Sequence, residues 1–117
     1  VAESALEDKM AETDIQACVA ACNDCVIACE TCIGVQLGHP HMAECVRSCL
    51  DCVAASRDCV GAMLRGSRMT SAWCGFCADI CDACAEECGK HDDKVCRDCA
   101  AACRRCAKEC RGMAMAA

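Results

Sequence analysis

Nineteen cysteines stand among 117 residues, and their spacing is regular. The first block holds Cys18, Cys22, Cys25, Cys29 and Cys32, and the second Cys45, Cys49, Cys52 and Cys59. The third holds Cys74, Cys77, Cys81, Cys84 and Cys88, and the fourth Cys96, Cys99, Cys103, Cys106 and Cys110. A thiolate is a nucleophile, a disulfide precursor and a soft metal ligand. Steps alternating between three and four residues put every side chain on one face of an α-helix, in a/d register. Side chains so spaced have Cβ atoms ~5–6 Å apart, too far for a disulfide, which needs about 3.8 Å. An ion held linearly between two sulfurs, with bonds of about 2.3 Å as for zinc, needs them roughly 4.5 Å apart. A CxxxC pair can therefore clip a two-coordinate ion, and CxxC steps link one clip to the next.

Charge separates the candidate metals. Zinc held by four thiolates carries −2, so about five such sites would bury a charge near −10 in a dry interior. A Cu(I) chain with two thiolates per ion, each thiolate bridging two ions, is neutral. Its capacity approaches one ion per cysteine, on the order of 20. Iron–sulfur clusters need four ligands converging on a bulky cluster with suitable loops, and no such segment is present. Cysteine as a plain small core residue is the alternative. Nineteen at nearly every a/d position would then leave a thinly packed bundle.

Four elements must carry these faces. The spacing predicts helices at roughly 14–34, 40–65, 70–89 and 92–112, with a possible short helix opened by Ser4 and Glu7 before them. Thr13 and Gln16 have capping-box spacing, Pro40 suits a first helical position, and Thr70 or Ser71 and Asp92 or Asp93 can cap the last two helices. Gly34 and Gly38, Gly66, Gly89 and Gly112 punctuate the four ends. Short connections make neighbours antiparallel, giving an all-α, up-down-up-down four-helix bundle over 14–113 behind an N-terminal extension, 1–13. The thiol faces then share one axis.

The heptad continues beyond the cysteines to Ser56 within the second helix, His41 or Met42 before it, His91 after the third helix and Met113 after the fourth. His39, His41, Met42 and His91 converge at one end, and Met63, Met69 and Met113 at the other. His41, Met42 and His91 are candidate Cu(I) ligands at a mouth. Met63 and Met113 read as apolar plugs. Stripes along Val19, Val26 and Ile33, and along Trp73, Phe76 and Ile80, are left to pack between helices or against another subunit.

Composition agrees. One Phe, one Trp, no Tyr and four Leu cannot fill a core by themselves. The net charge of −6 argues against nucleic acid, and no run of 18 apolar residues is present to span a membrane. Glu3, Glu7, Asp8, Glu12 and Asp14 leave no apolar signal region, so a reduced, cytoplasmic setting is expected.

The run from Cys77 through Cys81, Cys84 and Cys88 to His91, followed by the block Cys96–Cys110, resembles the bacterial copper storage proteins. It is similar above all to their cytosolic, signal-less branch, over about residues 14–113. The resemblance implies Cu(I) held by the matching cysteines inside the bundle, an opening near the histidine-bearing loop and a tetramer of bundles; the chain is expected not to be an enzyme. This chain departs from the pattern at Ser56 and in the single histidine of its 89–95 loop. A zinc or cadmium buffer with a metallothionein's function is the second reading, although metallothioneins use CxC, which is absent here. A thiol oxidoreductase would need one exposed, activated pair, whereas these pairs are spread evenly along faces turned inward.

Overall fold

The computed structural model describes the backbone of residues 2–116 and the side chains of residues 12 and 14–115. Val1 and the side chains of Ser4, Glu7 and Thr13 lie outside that description. Helix α1 spans Ala2–Gln36, a 3-10 turn covers Pro40–Met42, and α2 spans Ala43–Arg65. Helix α3 spans Thr70–Cys88 and α4 Lys94–Ala116. Each helix packs against two neighbours in the cyclic order α1, α2, α3, α4. The expected antiparallel four-helix bundle is the fold.

The boundaries differ from the sequence expectation in instructive ways. Helix α1 passes through Thr13 without a start there, because 2–12 is rich in Ala, Glu, Leu, Lys and Met, which favour helix. Gly34 and Gly112 lie inside helices rather than after them. Gly89 follows α3 with helical angles (φ −65°), so it ends the helix without a left-handed turn. Gly38, two residues past α1 at φ 90°, turns left-handed as a terminal glycine is expected to, and so does Gly66. Gly66 has φ 64°, and its N–H meets the carbonyls of Ala62 and Met63. Ser67 N–H reaches back to Ala62 O at 3.0 Å, completing a Schellman-type stop.

The interior is sulfur and small residues. All nineteen cysteines are fully buried. Alanines spaced seven apart (Ala55/Ala62, Ala78/Ala85 and Ala100/Ala107) are buried beside them. Small residues at these seams let the helices approach closely and keep the central column narrow. The alanines thus contribute core as well as surface. Val19, Val26, Ile33 and Ile80 pack on the core from the flanks, while Phe76 is left 55% exposed. Asp14–Gln36 is long and apolar enough by composition to cross a membrane. Its five cysteines account for much of that apolarity, and all five face the column.

Candidate metal centre

The antiparallel order stacks the wall positions into five layers of four. The layer nearest Met63 holds Cys18, Cys59, Cys74 and Cys110, with Cys18–Cys110 sulfurs at 3.6 Å and Cys59–Cys74 at 3.4 Å. Above it lie Cys22, Ser56, Cys77 and Cys106, where Cys22 and Cys106 approach to 3.5 Å. The third layer is the tightest: Cys25–Cys52 3.2 Å, Cys52–Cys81 3.5 Å and Cys25–Cys103 3.6 Å. The fourth joins Cys29–Cys99 at 3.5 Å, Cys49–Cys99 at 3.7 Å and Cys49–Cys84 at 3.9 Å. The fifth joins Cys45–Cys88 at 3.6 Å, Cys32–Cys45 at 3.8 Å and Cys32–Cys96 at 4.0 Å. All nineteen are free thiols.

Links between layers include Cys29–Cys103 at 3.8 Å and Cys88–Cys99 at 3.7 Å. The CxxxC clips Cys77/Cys81, Cys84/Cys88 and Cys106/Cys110 each bring sulfurs to 3.9 Å. Contacts between helices are as short as those along one helix, so an ion would tie helices together as well as clip a single one. A trigonal ion with bonds of about 2.3 Å needs sulfurs roughly 4.0 Å apart. The column suits two- and three-coordinate ions with little movement.

Sulfurs mutually within 4.8 Å form the groups Cys22/Cys77/Cys106/Cys110, Cys25/Cys29/Cys52/Cys103, Cys29/Cys84/Cys99/Cys103, Cys32/Cys49/Cys88/Cys99 and Cys25/Cys81/Cys106. Cys25, Cys29, Cys99, Cys103 and Cys106 each belong to two of these groups. Isolated four-ligand sites cannot share corners, whereas bridging thiolates do so by definition.

Burial sets the proton balance. It pushes the Cys32 and Cys96 thiols up, with the charge of Cys45 as a second cause. Deeper in, the proton is shared unevenly. Cys25 and Cys84 are pushed down, first by hydrogen bonding with Cys103, and Cys77 by hydrogen bonding with Cys106. Cys29 and Cys110 are pushed up, first by Cys103 and Cys106 respectively. A monovalent ion arriving in this array displaces protons.

The residues flanking the column are placed as follows. Met42 is buried at the end bearing the fifth layer. His91 is half-buried, its Nε2 3.1 Å from Glu87 Oε2, an arrangement that orients the ring. His41 is exposed and stacks on His39 at a centroid distance of 6.0 Å. At the other end Met63 is buried and Met113 packs against the core, while Met69 is 54% exposed. Ser56 faces inward, its hydroxyl 3.8 Å from Cys77 Sγ and 3.9 Å from Cys81 Sγ.

One wall residue escaped the sequence reading. Gln36, four residues past Cys32, is buried above the fifth layer and reaches Asp93 Oδ2 at 2.8 Å. The step of four from Cys32 extends the same register, but a glutamine at a helix end carries no sequence signal of burial.

Comparison with known proteins points the same way. The apo form of copper storage protein 3 from Bacillus subtilis is 43% identical, covers 85% of this chain and 97% of its own, and superposes with a TM-score of 0.81. The Cu(I)-bound copper storage protein BsCsp3 is 41% identical, covers 86% of this chain and 98% of its own, and gives 0.82. An uncharacterized cysteine-rich protein of Bacillus subtilis (strain 168) is 42% identical over 80 residues, which is 66% of this chain and 74% of that one. The family model described as copper storage protein matches residues 11–115. With nearly the whole bundle inside that match, the chain belongs to the copper storage protein family.

Proposed function

We propose that this chain sequesters copper as Cu(I), on the order of one ion per cysteine, through thiolates that bridge successive ions along the column. The corner-sharing of the sulfur groups carries this reading, because it favours bridging over separate tetrahedral sites. The Cu(I)-bound relative supports the choice of ion. The ligands are the nineteen cysteines, with His41, Met42 and His91 assisting passage at one end. The chain acts as a store and not a catalyst: full burial of every thiol leaves no exposed pair to serve as a redox nucleophile.

The bundle works in the cytoplasm as a homotetramer. The resemblance implies that assembly, and exposed Leu64, Met69 and Phe76 supply apolar surface for it. Light scattering of the reduced protein would return four times the chain mass; a monomer at all concentrations would refute it.

Anaerobic titration with Cu(I) against a competing chelator tests the storage reading. Uptake of roughly 15–20 ions per chain is expected. Saturation near five would mean separate four-thiolate sites, and the bridged column would be wrong.

A further inference from the structure

Gln36 and Ser56 are the two buried polar side chains among the described residues. Gln36, only 2% exposed, lies at the next wall position above Cys32. Its amide nitrogen donates to Asp93 Oδ2 at 2.8 Å and to Cys96 Sγ at 3.6 Å, and its carbonyl oxygen lies 3.2 Å from His39 Nδ1. His39 follows α1 and Asp93 precedes α4, so one carboxamide ties the two loops at this end across the top of the fifth layer. A buried carboxamide is costly unless its donors and acceptor are met. Here every partner but Cys96 belongs to the loops. Both His39 and Asp93 are exposed, so rotation of the Gln36 side chain outward exchanges those partners for water and uncovers Cys32, Cys45 and Cys96.

We propose that Gln36 is a gate over the column: latched to Asp93 and His39 it covers the fifth layer, and released it admits a Cu(I) ion to Cys96 and its neighbours. The idea rests on the storage reading and on entry at this end, so its test uses one measurement with copper and one without. The variants are Gln36→Ala, which removes the side chain, and Asp93→Asn, which weakens the latch at an exposed position and spares the core.

In the first measurement, reduced apo-protein is treated with iodoacetamide and the modified cysteines are mapped with time. Alkylation of Cys32, Cys45 and Cys96 should accelerate severalfold in both variants, while Cys18, Cys59, Cys74 and Cys110 keep their rates. Uniform acceleration would mean general loosening of the bundle, and no acceleration would mean no gate. Either result overturns the proposal. In the second, Cu(I) is supplied as its acetonitrile complex and loading is followed by thiolate-to-copper absorbance. Loading and chelator-driven unloading should both speed up severalfold, with an unchanged final count. Local alkylation without faster loading would overturn the copper gate yet leave storage intact, whereas loss of uptake by the wild-type chain would sink the storage reading itself.

Discussion

Ser56 occupies a column position with the phase, burial and contacts of a ligand, but offers an oxygen where its neighbours offer sulfur. Ser56→Cys should preserve the fold and add up to about one Cu(I) per chain, counted in the same anaerobic titration. A well-folded variant with unchanged capacity would mean that its layer is filled by three thiols alone. Protons give a second prediction. Burial pushes the Cys32 and Cys96 thiols up, so the folded apo-protein keeps these protons to higher pH than the unfolded chain. Unfolded thiols ionise from about pH 8.5. For these two thiols neither state ionises below that pH and their contribution is intact; above it the unfolded chain gives up their protons first, so their contribution to apo stability is lost as pH rises. Denaturant titrations between neutral and alkaline pH should show this decline in the apo form, and a flat or rising profile would contradict it. The inward direction of Ser56 was legible from register alone. The role of Gln36 was not, because its burial depends on Asp93 arriving from a loop 57 residues away.

At the level of the helix, the thiol register was written plainly in alternating steps of three and four. The seams between helices were not, since alanine is as common on helix surfaces as in tight contacts. Ala78 is fully buried and Ala83, on the same helix, is exposed. Ala78→Leu should force a seam apart and destabilise the apo bundle by about 1–3 kcal/mol. Ala83→Leu should change little, and equal effects in a denaturant comparison would refute the seam assignment. The ends of elements were the least legible part. Glycine marks a stop only where the backbone turns left-handed, as at Gly66, and helix-favouring residues on both sides carried the chain through Gly34 and Gly112.

Taken whole, the molecule measures 58 × 22 × 19 Å, and its sulfur runs along the long axis. Buried Met63 and the partly buried Met113 lie at one end, and a hydrogen-bonded carboxamide lies over the other. If the carboxamide end alone admits copper, a column holding about four ions to a layer is a dead-end container, and such containers remember order. Ions admitted early are pushed toward Cys59 and Cys74, and those admitted late rest against Cys96. Filling half the capacity with one stable copper isotope and the remainder with another, then withdrawing copper slowly with a chelator, should release the later isotope first. Simultaneous release of both would mean that thiolate exchange along the column outpaces exit. The store would then behave as a mixed pool, where entry and exit at one end alone make it a stack whose last deposit is the first available to the cell.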